Sequence, residues 1–236
     1  MIKNPRHERI LSVLKQSKEV SVKELCSILY LSPATVRRDL TALEEKGLLK
    51  RNFGGAVLVE SFSDQLPLSI RSAKNISQKK KLCERAAAYV SDGDTVFIDA
   101  SSTTYFLPYY LKGKQDITVI TNSPPLCMLL SELRIRSLCT GGEMLTGSVA
   151  LAGVDAERFI NGIRADAFFF SARGYEPDGG VISDSSKGER DIKSAMLKNS
   201  KRSYFLCDLS KLGETHPYKV CSACDITAAV TEADEI

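Results

Sequence analysis

From Asp94 onward, short runs rich in β-branched and aromatic residues alternate with segments of helical periodicity. The apolar runs predict six buried strands, and most of the stretches between them predict helices. The expected strands are 95–99, 117–121, 135–140, 166–171, 203–207 and 226–230, and the expected helices are 103–111, 124–132, 154–161 and 187–199. This alternation predicts an α/β fold built on a doubly wound, mainly parallel sheet.

The first sixty residues differ from this pattern in both periodicity and charge. Residues 1–60 carry eleven Lys or Arg against seven Asp or Glu, whereas the other 176 residues carry 21 against 22. A basic segment on a near-neutral body is typical of a nucleic-acid-binding module joined to a second domain. We therefore expect a domain over 1–59, a linker over 60–74 that contains Pro67 and four serines, and an α/β domain over 75–236.

Three helices are expected in the N-terminal domain. Residues 6–16 show amphipathic spacing, and Ser21 with Glu24 three residues later forms a capping box at the start of a second helix. Ser32 and Pro33 then occupy the N-cap and the first position of a third helix. These signals make the third helix the best-specified element in the chain.

The third helix has two contrasting faces. Val36, Leu40 and Leu43 form its apolar stripe, and Gly47 supplies the C-terminal stop. The opposite face is small, polar and basic, with Ser32, Ala34, Thr35, Arg37, Arg38 and Thr41. A helix with this N-terminal half can enter the major groove of double-stranded DNA, where Arg reaches guanine edges and Ser or Thr meets phosphates or bases. The alternative is a small helical bundle with an ordinary charged surface.

Two short apolar strands are expected after the third helix, around a turn rich in Asn and Gly. Lys50 and Arg51 lie beside that turn and provide a basic edge. Such a β-wing can lie against the phosphate backbone or the minor groove, so the segment is predicted to be a winged helix-turn-helix.

The N-terminal segment also resembles a known family. The run from Ser32 to Leu40, followed by residues 43–51 and by Gly54-Gly55-Ala56, closely resembles the helix-turn-helix of DeoR-type bacterial transcription regulators. Phe53 is a departure, since such proteins usually carry His before the Gly-Gly pair.

Polar residues collect where the expected strands of the second domain end. Ligands of open α/β sheets bind beyond the carboxyl ends of the strands. The first strand leads into Asp99 and then into four consecutive hydroxyls at a helix N-terminus, namely Ser101, Ser102, Thr103 and Thr104. Helix capping explains one hydroxyl but not four, so we interpret this segment as a phosphate cradle.

Other candidate ligand-binding residues follow later strands. Asn122 follows the second strand, and Gly141 and Gly142 follow the third, where glycines allow close approach of a ligand or simply a tight turn. Lys193, and Lys211 near Asp208, can close a phosphate site by charge, although each can equally be a surface lysine. The run 79–81 of three lysines is interpreted as a solvated helix face rather than as a DNA contact.

The second domain also resembles the DeoR family, through segments that fall in the family's order. These are 92–104, 121–123, Gly141-Gly142, Gly153, 166–169, Lys193 and 208–211. The resemblance implies a sensor domain that is related in fold to ribose-5-phosphate isomerase and to CoA transferases and that binds a phosphorylated sugar or a related metabolite. Leu209 departs from the Ser that is common in the family.

The sequence therefore favours a DNA-binding repressor of carbohydrate metabolism genes that responds to a phosphorylated sugar and needs no metal or other cofactor. Paired operator half-sites require paired readers, so a homo-oligomer, dimer or tetramer, is expected.

Two functions from other classes stay open. One is a phosphosugar isomerase with Asp99 as base and Lys193 or Lys211 on the phosphate, although His7 and His216 are not placed as an acid/base pair. The other is a thiol sensor through Cys221 and Cys224, the only C-x-x-C pair in the sequence.

No apolar stretch approaches the roughly 20 residues that a membrane-spanning helix needs. The N-terminus has charge but no following apolar segment or cleavage site of the kind that a secretory signal requires. We therefore expect a cytoplasmic protein without a membrane partner.

Overall fold

The computed structural model describes residues 5–17, 19–45, 48–57, 68–145 and 147–232. The chain divides into two compact units, Met1–Leu66 and Pro67–Ile236. In the described residues, no helix is long and apolar enough to cross a membrane.

The first unit contains three helices and a small antiparallel sheet. Its elements are α1 (Pro5–Ser17), β1 (Glu19–Ser21), α2 (Val22–Leu29), α3 (Pro33–Glu45), β2 (Lys50–Asn52) and β3 (Gly55–Val57). The capping box is present, since the Glu24 amide donates to Ser21 Oγ at 3.1 Å and the Ser21 amide donates to Glu24 Oε2 at 2.8 Å. The helix-turn-helix and its β-wing are therefore confirmed.

The sheet of the first unit holds one strand that the sequence did not predict. Its order is β1-β3-β2, so β3 lies between β2, the first strand of the wing, and β1. β1 has only three residues, which is too short for an alternating pattern to stand out. The expected stripe of α3 is fully buried, with Val36, Leu40 and Leu43 in the core. Gly47, the expected end of that helix, lies outside the described residues.

The second unit contains five α-helices among its described residues. They are α4 (Leu68–Ala73), α5 (Ile76–Ala87), α6 (Pro124–Glu132), α7 (Val154–Asn161) and α8 (Lys187–Lys198), with 3-10 helices at Thr104–Tyr110, Leu209–Lys211 and Ala223–Asp225. The strands are β4 (Thr95–Ile98), β5 (Thr118–Thr121), β6 (Arg136–Cys139), β7 (Glu143–Leu145), β8 (Ala150–Ala152), β9 (Ala165–Phe170), β10 (Gly174–Glu176), β11 (Val181–Asp184), β12 (Ser200–Leu206), β13 (Tyr218–Ser222) and β14 (Ala228–Val230).

All six strands expected from the sequence lie in one sheet. Its order is β14-β12-β9-β4-β5-β6, and every neighbouring pair is parallel. Ile98 at the end of β4 pairs with Thr121 on one side and with Phe169 on the other. The segments that follow β4, β5 and β9 therefore leave the sheet at nearly the same level, which brings their first residues together.

The two faces of this sheet are covered by separate sets of helices. Along β9, Phe169 packs with residues of α5 and α6, whereas Phe168 and Phe170 pack with residues of α7 and α8. Successive side chains of a strand point to opposite faces, so near-continuous apolar strands match a sheet that is buried on both sides. The doubly wound parallel architecture is confirmed.

Three local features differ from the sequence-based expectations. The range 60–74, expected to be a linker, includes helix α4. The helix expected at 103–111 is a 3-10 helix that contains Pro108, whose missing N–H would interrupt an α-helical ladder. The antiparallel pair β7-β8 and the sheet β10-β11-β13 were not predicted, because their strands have only three to five residues.

Candidate functional site

The outward face of α3 carries the residues that the sequence assigned to DNA. Ala34, Arg37 and Arg38 are exposed, and Thr35 and Thr41 are half-buried. The guanidinium groups of both arginines bond to no group in the part of the chain that the structure describes. Two cations on the first turns of an exposed helix are therefore available to an external anion or base edge.

Two hydroxyls of this face also make local bonds. Ser32 Oγ accepts from the Thr35 amide at 3.3 Å, as expected for an N-cap, and lies 2.9 Å from Thr35 Oγ1. The exposed Ser32 therefore already has an acceptor role at the start of α3.

The wing is tied to the recognition helix by Arg51. The Arg51 amide donates to Glu44 Oε1 at 2.8 Å, and Arg51 Nη1 donates to Thr41 Oγ1 at 2.7 Å. Phe53 lies at the tip of the hairpin with its side chain fully exposed. Lys50 lies on β2, but its side chain is outside what the structure describes.

Asp39 is a residue of α3 whose role was not predicted from the sequence. Its side chain is buried, accepts from Arg6 Nε at 3.1 Å, and lies 3.2 Å from His7 Nε2. Asp39 therefore holds the recognition helix against α1. The spacing could have revealed it, since Asp39 is three residues after Val36 and so falls on the buried stripe.

In the second unit, Asp99 lies at the carboxyl end of β4 and is fully enclosed. Its Oδ1 accepts from Thr104 Oγ1 at 2.7 Å and from the Ser101 amide at 3.2 Å, and its Oδ2 accepts from the Ser171 amide at 3.2 Å. Burial raises the pKa of Asp99, while Lys193 and these hydrogen bonds act in the opposite direction. Asp99 therefore organises the loop in which the four hydroxyls lie.

The four hydroxyls expected to form a phosphate cradle divide into two pairs. Ser101 Oγ caps the following 3-10 helix by accepting from the Thr104 amide at 3.2 Å, and Thr104 turns inward to Asp99. The hydroxyls of Ser102 and Thr103 instead accept from lysines. The backbone amides of Ser102 and Thr103 donate to no acceptor among the described residues.

Lys193, one of the two lysines proposed for a phosphate, is held by carboxylates. Its Nζ lies 2.7 Å from Asp184, 3.3 Å from Glu189 and 3.7 Å from Asp99. Burial acts to lower the pKa of Lys193, but the three carboxylates outweigh it and raise that pKa. Lys193 is therefore a compensated buried cation.

Arg71 and Arg173 add two positive charges to the group around Lys193. Burial acts to raise the pKa of Glu189, but Lys193, a hydrogen bond from Ser148, and the two arginines lower it to about 2. The buried charge cluster thus contains Lys193, Arg71 and Arg173 against Asp99, Asp184 and Glu189, so three cations face three carboxylates. Most of its members were not predicted from the sequence, although Glu189 and Lys193 are four residues apart on one helix, a spacing that indicates an ion pair.

Lys211 belongs to a second polar group, in which its ammonium group contacts the hydroxyls of Thr103 and Ser171. Its Nζ donates to Thr103 Oγ1 at 3.1 Å and to Ser171 Oγ, and it lies 3.4 Å from Asp208 Oδ2. Burial acts to raise the pKa of Asp208, but Lys211 and the Ser210 hydroxyl outweigh it and lower that pKa. The structure therefore brings Lys211 and Asp208 to the cradle, next to Thr103.

Lys79 joins this second group, and the interpretation of residues 79–81 as a solvated face is wrong at this position. The side chain is only 5% exposed, and its Nζ donates to Ser102 Oγ at 3.2 Å and to the carbonyl oxygen of Arg71. Its spacing from Leu82 and Cys83 places it on the apolar face of α5, a signal that was available in the sequence. Lys80 and Lys81 are exposed, as expected.

The remaining predicted residues lie on the neighbouring strands. Asn122 follows β5 and is buried; its Nδ2 donates to the carbonyl oxygen of Leu151 at 3.0 Å, and its Oδ1 has no partner among the described residues. Gly141 and Gly142 are exposed and have positive φ, and a Cβ on Gly142 would lie 2.5 Å from the carbonyl oxygen of Ala152. Close packing against β8 thus explains Gly142 without a ligand.

The C-x-x-C pair does not form a disulfide. Cys221 is buried and Cys224 is exposed, and both are free thiols. Burial raises the pKa of Cys221 to about 12, which opposes the thiolate that redox chemistry requires. No group of three or more His, Cys, Asp or Glu with the arrangement of a metal site occurs in the described residues.

Two family models match the chain. One, described as the DeoR-like helix-turn-helix domain, matches residues 6–62, and the other, described as the DeoR C terminal sensor domain, matches residues 74–233. The HTH-type transcriptional regulator GolR of Listeria innocua is 33% identical over 228 residues, which cover 96% of this chain and 89% of that protein. The glycerol-3-phosphate regulon repressor of Escherichia coli is 29% identical over 234 residues, which cover 99% and 92%.

Solved structures also align with the chain. Ribose 5-phosphate isomerase A from Methanocaldococcus jannaschii is 19% identical, covers 59% of this chain and 55% of its own, and gives a TM-score of 0.45.

Proposed function

The chain belongs to the DeoR family of transcription regulators, and on that premise we propose that it is a repressor whose second unit binds a phosphorylated sugar. The relatives that span nearly the whole chain are named as transcriptional regulators or repressors, so it is a DNA-binding regulator and not an isomerase. The effector, its site and the oligomeric state belong to the proposal.

One observation supports an anionic effector, namely the positive charge next to Ser102 and Thr103. Lys79 and Lys211 meet the adjacent hydroxyls of Ser102 and Thr103, and the nearby carboxylate is Asp208. Two cations against one carboxylate leave a positive charge in excess, next to two backbone amides that have no acceptor among the described residues. A phosphate ester supplies the compensating negative charge and accepts from the ammonium groups, the hydroxyls and the backbone amides. We call these four residues, the two lysines and the two hydroxyls, the anion site.

The buried charge cluster around Lys193 is a poorer candidate for the phosphate. Its three cations already face three carboxylates, so a phosphate there would displace an existing ion pair or add uncompensated negative charge. Its role in the proposal is to hold Asp99 and thereby the loop that presents Ser102 and Thr103.

Asn122 is the candidate contact for the rest of the effector. It follows β5 at the level where Asp99 follows β4, and its buried Oδ1 is an acceptor without a donor among the described residues. Buried acceptors of this kind are costly unless they are paired, and a sugar hydroxyl would pair it. The name of the glycerol-3-phosphate regulon repressor refers to a phosphate ester of a small polyol, which agrees in class with such an effector.

On the DNA side, the proposal assigns Arg37 and Arg38 to the major groove and the wing to the backbone. A single winged helix presents a small interface, so two copies on successive half-sites are proposed, in a dimer or tetramer. The effector then changes DNA affinity by favouring a different arrangement of the paired units, since both ligands act on one equilibrium.

The test measures binding of the full chain to a labelled duplex selected by the protein from a random pool. Fluorescence anisotropy at one fixed salt concentration gives the DNA Kd with and without each of a panel of sugar phosphates, because backbone contacts make the affinity depend on salt. We expect a sequence preference over random DNA and reversal by at least one sugar phosphate but not by the parent sugar.

Thr103→Leu fills the anion site, and Ser101→Ala serves as its control in the same loop. The Leu variant should bind DNA normally and ignore the effector, whereas the Ala variant should respond. Release of DNA by the effector from the Leu variant would show that the phosphate binds elsewhere.

A further inference from the structure

Helix α4 contacts both groups of charges in the second unit. Lys79 Nζ donates to the carbonyl oxygen of Arg71, a residue of α4, and also to Ser102 Oγ. The Arg71 guanidinium interacts electrostatically with Glu189, Asp184 and Asp99 of the buried charge cluster. The anion site and the cluster thus meet on one short helix.

The hydrogen bond from Lys79 to Arg71 reaches the helix with which the described part of the second unit begins. α4 is the first described element of the second unit, and residues 58–67 separate its start at Leu68 from β3 of the DNA-binding unit. Among the described elements of the second unit, α4 is therefore the nearest in sequence to the DNA-binding unit.

α4 depends on its surroundings because it is short. Six residues are too few for a stable isolated helix, so its position is set by tertiary contacts such as the burial of Leu68 and the bond from Lys79. A cation at the last turn of a helix also satisfies a free carbonyl and interacts favourably with the helix dipole.

We propose that Lys79 is a latch between the anion site and α4, a proposal that rests on the proposed binding of a phosphorylated effector. Without effector, the ammonium group holds the Arg71 carbonyl oxygen. A bound phosphate competes for the same ammonium group, because a charged oxygen is a stronger acceptor than a carbonyl. Its binding frees the end of α4, and this release is what couples the anion site to DNA affinity.

The latch makes a prediction that a simple contact does not. If Lys79 only bound phosphate, its loss would weaken effector binding, but a saturating concentration would still release DNA. If Lys79 is the latch, its loss frees α4 even without effector, so DNA affinity no longer depends on whether the anion site is filled.

The experiment compares wild type, Lys79→Met and the control Lys80→Met, which changes an exposed lysine of the same helix. The DNA Kd of the full chain is measured by anisotropy with and without inorganic phosphate at matched ionic strength. Calorimetry gives the phosphate concentration needed for saturation. Hydrogen exchange of residues 68–73 is measured on the same samples.

We expect phosphate to raise the DNA Kd of wild type and of Lys80→Met by about tenfold, and that of Lys79→Met by less than about twofold. We also expect phosphate to speed exchange in α4 of wild type, and phosphate-free Lys79→Met to exchange as fast as phosphate-bound wild type. If saturating phosphate raised the DNA Kd of Lys79→Met as much as it raises that of wild type, the latch would be overturned.

The exchange data keep the test decisive in two further cases. If Lys79→Met binds no phosphate, hydrogen exchange of its α4 is compared with that of phosphate-free wild type. Equal exchange would overturn the proposal, and faster exchange in the variant would support it. If Lys79→Met does not fold, wild type alone provides the test. Hydrogen exchange of its α4 that does not change when phosphate binds would overturn the proposal. Failure of the proposed function is distinct, because wild type itself would then show no phosphate-dependent change in DNA affinity.

Discussion

The two units treat their positive charges in opposite ways. Arg37 and Arg38 stand exposed on α3 and bond to nothing in the described part of the unit, whereas Lys193 is 4% exposed and lies among three carboxylates. Exposed cations cost little to maintain and remain available to a partner, while a buried cation is stable only with its counter-ions. The comparison teaches that a cation's availability to a ligand, rather than its presence near a cleft, indicates its function.

Removing the buried cation should have the largest effect. Lys193→Met leaves Asp99, Asp184 and Glu189 buried with less compensation, and we expect the second unit to lose about 3–5 kcal/mol of stability. Urea unfolding followed by circular dichroism measures this loss. Lys187→Met, an exposed change on the same helix, should stay within about 0.5 kcal/mol of wild type. A Lys193→Met variant as stable as wild type would mean that the cluster is not a structural unit.

Removing an exposed cation should affect binding instead. Arg38→Ala is expected to weaken binding to the selected duplex by about 1–3 kcal/mol and to flatten sequence preference, because a base contact is lost. Anisotropy with the selected duplex and with random DNA separates the two effects. An equal loss on both duplexes would make Arg38 a phosphate contact.

Asp39, the neighbour of Arg38 on α3, is buried whereas Arg38 is exposed, so its substitution should affect stability rather than DNA binding. Asp39→Ala leaves His7 Nε2 without its buried partner, so we expect the first unit to lose about 1–3 kcal/mol of stability. Arg38→Ala should change stability by less than about 0.5 kcal/mol. The thermal unfolding of the two variants would show the reverse order if the orientation of α3 described here were wrong.

The anion site should respond to pH through Lys79. Burial, and then the positive charge of Lys211, lower the pKa of Lys79 from 10.5 to about 8, with Arg71 and Lys74 adding to the effect and Asp208 opposing it. Lys79 therefore loses its charge as the pH rises through about 8, and anion binding should weaken by up to about tenfold per pH unit above that value.

Calorimetry with inorganic sulfate tests this dependence, because the charge of sulfate is constant over the range. Lys79→Met should bind weakly at every pH and show a flat profile, and Lys80→Met should follow wild type. A slope that persists in Lys79→Met would assign the titration to another group.

The smallest effect is expected at the tip of the wing. Phe53 is fully exposed, so Phe53→Ala should leave stability within about 0.5 kcal/mol of wild type. Partial burial of the ring against DNA contributes about 0.5 kcal/mol, so the DNA Kd should rise two- to threefold. Thermal unfolding and anisotropy measure the two quantities, and a clear loss of stability would show that the ring packs within the unit.

Much of the fold could be predicted because its signals are local. The capping box at Ser21, the N-cap at Ser32 and the apolar runs of the six parallel strands each depend on residues close together in the sequence. The missed elements are short: β1, β10 and β11 have three or four residues and take their stability from neighbouring strands.

The candidate site was predicted less completely, and the three lysines show why. Lys79, Lys193 and Lys211 look alike in the sequence, yet one lies in a compensated cluster and two meet adjacent hydroxyls. Asp184 reaches Lys193 from a small sheet that the sequence did not predict, and Ser171 reaches Asp99 and Lys211 from β9. Ser171 is 72 residues from Asp99 and 40 from Lys211 in the sequence, and Asp184 is nine residues from Lys193, so none of these contacts leaves a local signal.

The sequence by itself determined the division into a winged helix-turn-helix and a parallel α/β unit, and the exposed face of α3, because periodicity and capping act within a few residues. Only the tertiary structure decided which cations are free. The charge that surrounds a lysine is the sum over strands and helices distant in sequence, and that sum exists only when the sheet has formed.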